Sequence, residues 1–340
     1  MMRRTLERVV YALLLPLAAG CGHDSTKPSI PSLQDGLWTA SGSPVGAILR
    51  LEPTQLRGSG MRDPATTVTT PSARLFTLSG VAFDGNGTMW IASQDDSLLL
   101  AFEPGALTAS GARDPRTVIL PTARSLAGPT GLAFDPQHRL WVVNRETATL
   151  VRFDPGQLAA GGARVPAVTL ALPGSPTTLA FDAAGALWVS DAQFHAIHRL
   201  NAAQLETSGS PALATVLTAA NSLVNPTGLA FDAAGNLWVA NTGSGNLVAF
   251  TPAQLAGTGP LAPHIVISPT RGSLSIPVGL AFEGDGSLWV VGGGGALTKF
   301  ARSSLGETGA PAPSAQLQVT GRSLFWSVAL WPKPAGLPLN

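Results

Sequence analysis

A tryptophan that returns about every fifty residues constrains this chain more than any other feature. Trp38, Trp90, Trp141, Trp188, Trp238 and Trp289 follow one another at intervals of 47 to 52 residues, and each closes a segment of the same design. The clearest copy, from Pro226 to Asn241, reads Pro-Thr-Gly-Leu-Ala-Phe-Asp-Ala-Ala-Gly-Asn-Leu-Trp-Val-Ala-Asn. Its first half returns at Val81 to Asp84, Leu132 to Asp135, Leu179 to Asp182 and Leu280 to Glu283. A period of this size is the mark of a repeat array, in which each copy is one supersecondary unit whose apolar face is buried only by its neighbours.

The turn chemistry says what the unit is. Two short apolar runs flank an Asp, whose side chain can hold backbone N–H groups two residues on, and a Gly three residues before the Trp that supplies positive φ at Gly87, Gly185, Gly235 and Gly286. His138 replaces that glycine once, and histidine is among the few residues enriched at positive φ. A third apolar run follows, such as Asn246 to Phe250, ending in an acid-Pro or Thr-Pro step that suits the start of a helical turn. Leu56, Leu107, Leu158, Leu205, Leu255 and Leu305 mark that turn. Gly60, Gly111, Gly162, Gly209, Gly259 and Gly309, four residues further on, are expected to end it. A fourth run, such as Val118 to Leu120, completes the unit.

Four short strands per copy fit a chain with 38 Gly, 28 Pro and only 12% charged residues, which is too punctuated for helices and too apolar for disorder. The predicted fold is all-β: a six-bladed β-propeller with four-stranded antiparallel blades over residues 35–340, because radial repetition leaves only short, protected edges. The first copy begins at its tryptophan strand, Asp35 to Trp38, and lacks an inner strand. Ser327 to Trp331 matches Gly228 to Asp232, so the C-terminal strand is expected to complete the first blade and close the ring.

The N-terminus reads differently. Arg3, Arg4 and Arg8 precede an apolar run from Val9 to Ala19 that is too short to span a bilayer, and then small residues lead to Cys21, the one cysteine. Leu17-Ala18-Ala19-Gly20-Cys21 resembles the lipobox of bacterial lipoproteins. That resemblance implies a signal peptide over 1–20, a lipidated Cys21 with a flexible tether over 21–34, and a membrane anchor of several acyl chains. Cell-envelope localisation follows, and Gly22 in place of Asp resembles the outer-membrane choice if the source is Gram-negative. An ordinary signal peptide ending near a cysteine is the other reading. A net charge of +1 with no Lys/Arg cluster leaves nucleic-acid binding without an electrostatic footprint.

The run Gly228 to Asn241 resembles NHL-repeat propellers and their relatives, the SMP-30/gluconolactonase and streptogramin B lyase families, across all six copies. The resemblance implies the fold far more specifically than an activity. In the gluconolactonase family, the residue before the inner-strand glycine is often an Asn or Asp that ligates a divalent metal. Here those channel-facing positions hold Ser79, Thr130, Thr177 and Thr227, with Val278 in the last copy, which are poor ligands for a hard cation. Streptogramin lyases use His with Glu around a metal. Of the five histidines, His23 lies in the tether, His138 in a turn, and His264 on an outer strand. His195 and His198 are an odd distance apart, which puts them on opposite faces of a strand. No catalytic residue, metal site or cofactor is therefore expected.

What varies from copy to copy is polar: Ser93, Asn144, Asp191 and Asn241 at the ends of the tryptophan strands, and Arg145, Glu146, Gln193 and His195 in the loops that follow. These form the candidate binding mouth, although solvated loops would look the same. The expected function is a monomeric, surface-anchored, non-catalytic binding or scaffold module for a protein, peptide or glycan. The alternative is a metal-assisted hydrolase or lyase with an atypical channel site.

Overall fold

The computed structural model describes residues 33–42, 46–71, 77–123, 125–219, 222–268 and 274–334; Cys21, its leader and tether residues up to 32 lie outside them. The described residues form six sheets arranged as a six-bladed β-propeller, each with four antiparallel strands that run in chain order in five blades and begin with the C-terminal strand in the first; four sheets carry a short fifth strand in parallel. Blade 5 is representative: inner strand Pro226–Phe231, then Leu237–Asn241, Asn246–Phe250 and the outer strand Ile265–Ile267. The hairpin between the first two strands lies at one rim, and the loop between the second and third lies at the other.

Register explains why the motif repeats so strictly. The tryptophan of each second strand stands opposite an alanine of its inner strand, as in Ala82 with Trp90, Ala180 with Trp188 and Ala230 with Trp238. A methyl there leaves room for an indole. Blade 1 obeys the same rule through the C-terminus, where Phe325–Trp331 pairs with Gly36–Ser41 and sets Ala329 opposite Trp38. The closing strand thus matches the other five inner strands residue for residue.

The core lies between blades rather than within them. Four of the indoles pack edge-on against the inner-strand phenylalanine of the next blade, with ring centroids 6.1 Å apart for Trp38 and Phe83, 6.5 Å for Trp141 and Phe181, 6.2 Å for Trp188 and Phe231, and 6.1 Å for Trp238 and Phe282. Such pairs add about 0.5–1.5 kcal/mol each beyond the area they bury. Leu33, in the last residues of the expected tether, is already buried with Trp38 and Phe83.

One expectation is corrected. The glycines after each helical turn do not simply end it; each pairs in parallel with the outer strand of the preceding blade. Gly60 stands against Leu317, Gly111 against Val68, Gly162 against Ile119, Gly209 against Leu170, Gly259 against Leu217 and Gly309 against Ile267. In five of these links the preceding Ser or Thr hydroxyl also accepts an N–H of that outer strand, as Ser110 does from Thr67 and Thr258 from Val216. An outer edge left open would present unpaired N–H and C=O groups to other chains. The belt covers it, and it seals the ring a second time where Gly60–Arg62 meets Ala315–Val319.

Candidate functional site

The two ends of the channel are built on different principles. At the hairpin rim, Asp182 Oδ1 accepts the N–H groups of Ala184 and Ala186 at 3.0 and 2.9 Å, and Asp84, Asp135 and Asp232 repeat the arrangement. The glycine after each, such as Gly185 at φ 77°, and His138 at φ 59°, lie in the left-handed region that the turn requires. The second carboxylate oxygen has a further role. Asp135, Asp182 and Asp232 each accept the indole N–H of the tryptophan six residues on at 3.0 Å, and Glu283 accepts that of Trp289 at 2.6 Å. A buried indole needs an acceptor, and the constant spacing of six between acid and tryptophan was the signal for it. Arg152, Arg199 and Lys299 lie over the outer ring faces at 5.5–5.9 Å. Asp135, Asp182, Asp232 and Glu283 are thus committed to the blades through their tryptophans, whereas Asp84 holds its turn alone.

At the other rim, the structure divides the predicted mouth residues into two groups. Ser93, Asn144, Asp191 and Asn241 are fully buried, so they are not surface contacts. Asn144 accepts the N–H of Ala127 and donates to the carbonyl of Ser125, and Asn241 does the same with Val224 and Ser222. Each amide clasps the loop that leads into its own blade. Asp191 accepts from the N–H groups of Ser175, Gln193 and Phe194 and from His198 Nε2 at 2.8 Å. Burial works against its ionised form, but these donors, His198 foremost, outweigh it and hold the carboxyl below its ordinary range. Their side chains are consumed by loops that would otherwise leave backbone groups unpaired.

Arg145, Glu146, Gln193 and His195 are exposed. His195 sits in the turn at φ 52°, where its Nδ1 accepts the N–H of Asn225, while His198 is inside the blade; the two do not converge. Arg145 reaches to the next blade, where its Nε is 3.4 Å from Ser175 Oγ. Among the described residues no carboxylate forms an ion pair with it.

Ser79, Thr130, Thr177 and Thr227 do line the channel, around a cavity of about 320 Å3. Their hydroxyls donate to carbonyls of the next inner strand, Ser79 to Pro129 at 2.7 Å, Thr130 to Thr177 at 2.7 Å, and Thr177 and Thr227 to Pro226 and Pro277 at 3.2 Å. They knit the ring together. Val278 occupies the next equivalent position, and the sixth, contributed by the closing strand, is Trp326. Its side chain is 42% exposed, unlike the six repeat tryptophans, and it lines the cavity together with Arg145. Sequence reasoning stopped one residue short of it, at Ser327, although aligning Ser327 with Gly228 sets Trp326 on Thr227. Phe194, Ile276 and Leu324, in loops of the same rim, are exposed as well. Among the described residues, no three His, Cys, Asp or Glu side chains gather closely enough to hold a metal ion.

No family model and no curated protein matches the chain. Solved structures do. A streptogramin B lyase is similar over 89% of this chain and 95% of its own, at 14% identity and a TM-score of 0.53. A chain of a nidogen/laminin complex is similar over 88% and 99%, at 14% identity and 0.63, and a protein of unknown function from Bacteroides caccae over 87% and 99%, at 10% and 0.61. At these identities the likeness is one of fold, and the fold is a β-propeller.

Proposed function

We propose that this chain is an NHL-like propeller lipoprotein, held in the cell envelope through Cys21, that binds a protein, peptide or glycan non-covalently at the rim where the inner strands begin. The observation that carries this reading is the exposed Trp326 at a ring position that three sister blades fill with threonine. Exposed aromatic side chains beside a concave cavity are the usual anchors of a binding site. The polar groups around them fit binding better than chemistry: the channel hydroxyls are spent on neighbouring strands, and His195 and His198 face different surroundings. A monomer suffices for such a module, and Gly22 favours the outer membrane if the source is Gram-negative.

Site-specific photocrosslinking in the native envelope tests this. A crosslinking residue at Gln193 should give a discrete, saturable adduct, whereas one at Asn86 on the opposite rim should not; equal labelling from both sides would end the reading. Metal-assisted hydrolase or lyase action is the second reading, supported by the likeness of fold to streptogramin B lyase. Stoichiometric Ca²⁺, Mg²⁺ or Zn²⁺ in the purified protein would favour it.

A further inference from the structure

The channel mouth is chemically lopsided. At it stands Arg145, an exposed guanidinium with a single long hydrogen bond to Ser175 and, among the described residues, no carboxylate partner. Trp326 lines the same cavity, and Phe194, Ile276 and Leu324, in loops of blades 4, 6 and 1 at the same rim, are exposed. The cavity is walled by apolar inner-strand residues such as Val278 and Leu229 and contains no charged group other than Arg145. A cation that the fold leaves without a carboxylate is an anion site in waiting, because guanidinium presents a fork of donors matched to a carboxylate.

We infer that the mouth captures the C-terminus of an extended peptide, with Arg145 pairing the free α-carboxylate and an apolar last side chain lying against Trp326 inside the channel. The inference rests on the binding reading above and names its ligand. Size supports it: at about 320 Å3 the cavity is at the lower end of the ~300–1,000 Å3 range of ligand pockets, so it takes the end of a chain and not a folded surface. Phe194, Ile276 and Leu324, exposed at this rim outside the cavity, would be left uncovered by a small free carboxylate, whereas the preceding residues of a peptide would extend toward them.

The test uses the full-length protein in detergent, immobilised, with a pool of hexapeptides randomised at the last three positions and prepared both as free acids and as C-terminal amides. The acid pool should be retained, with Phe, Leu, Ile or Val enriched at the final position, and the amide pool at least ten-fold less. Arg145→Gln should abolish the preference for acids. Trp326→Thr, which installs the residue of three sister blades, should lower retention about ten-fold while the protein keeps its cooperative thermal transition. Equal retention of acids and amides, enrichment away from the last residue, displacement by N-acetylphenylalanine or maltoheptaose as effective as by peptide, or no retention at all would overturn the inference. Retention that ignores the amide but is lost in Trp326→Thr would leave the mouth a binding site and remove only the terminus; absence of retention alongside a Gln193 adduct would do the same.

Discussion

The hairpin rim and the mouth rim are made by the same six repeats, yet one is nearly uniform and the other is not. At the hairpin rim an acid caps the turn in five blades; in three the same Asp also receives the indole six residues on, and in blade 6 Asp285 takes the turn N–H while Glu283 receives the indole. At the mouth the corresponding strand ends are Ser93, Asn144, Asp191, Asn241 and Gly292. The uniform rim is uniform because each blade sets the same problem, a buried indole and a tight turn. The variable rim contains two kinds of variation. Ser93, Asn144, Asp191 and Asn241 differ but are all buried. At Gly292 the loop backbone itself comes so close that an added Cβ would lie 2.4 Å from the carbonyl oxygen of Ser275. These are several solutions to one packing problem, and only the residues beyond them, such as Arg145 and Phe194, differ in what they show to solvent.

The closing strand belongs to both rims, with Trp326 at one and Trp331 at the other, so removing it breaks the comparison altogether. Deleting Leu324 to Asn340 takes away the inner strand of blade 1 and the partner of Trp38, and exposes apolar surface on both sides of that blade. The cooperative thermal transition should be lost. An unchanged midpoint would mean that the outer belt at Gly60–Arg62 closes the ring without it.

The next effect belongs to the hairpin rim alone. Asp182→Ala strips acceptors from two backbone N–H groups and from the Trp188 indole; with charge-assisted hydrogen bonds each contributing about 1.5–3 kcal/mol and some recovered by water, a loss of about 3 kcal/mol is expected in denaturant unfolding. Peptide retention at the mouth should be unchanged. A companion experiment compares Trp188→Phe with Trp90→Phe. Trp90 Nε1 has no acceptor although Asp84 caps its turn, so Trp90→Phe should cost about 1 kcal/mol less, the net worth of a hydrogen bond. Equal costs would show that the acid–indole contact contributes nothing.

A buried acid at the mouth gives a smaller, pH-dependent effect. The folded pKa of Asp191 lies below its unfolded value of about 3.9. Its contribution is therefore fully present above that value and is lost as pH falls through the folded pKa. Asp191→Asn keeps an oxygen for the loop N–H groups but gives up the charge-assisted bond to His198, a cost of about 1.5–3 kcal/mol at neutral pH. Unfolding measured in parallel from pH 7 to pH 3 should show the two proteins converging at the acid end. A constant gap would place the effect in packing.

Much of this was legible in sequence because the repeat let six weak signals be read as one. The tryptophan spacing placed every second strand, and Ser327 to Trp331 gave the closing strand and, through Ala329, its register. Two things resisted. The glycines at Gly60 and its equivalents looked like helix stops because their partners lie one blade away, about forty residues distant in five cases and at the far end of the chain for Gly60, and parallel pairing leaves no local pattern. The mouth misled for the opposite reason: Asn144 and Asn241 have the polarity of surface residues, and nothing in their immediate neighbours reveals that a loop seventeen residues upstream folds over them.

The smallest expected effect sharpens the comparison most. Every repeat tryptophan is packed between blades, so truncating one opens a cavity of the kind that costs about 3–5 kcal/mol. Trp326 is the same residue type in the same chain, but at 42% exposure it has less burial to lose than they have. Trp326→Thr should therefore cost about 1 kcal/mol, clearly less than truncation of a repeat tryptophan. The threonine would also have a ready role, since at the equivalent sites Thr130, Thr177 and Thr227 it donates to the next inner strand. If unfolding in denaturant shows the substitution to cost no more than this while retention falls, then an exposed indole is being kept where the fold would accept threonine, and its purpose lies outside the fold. A loss of several kcal/mol would instead make Trp326 a seventh structural tryptophan, and the mouth would lose the feature that distinguishes it from its opposite rim.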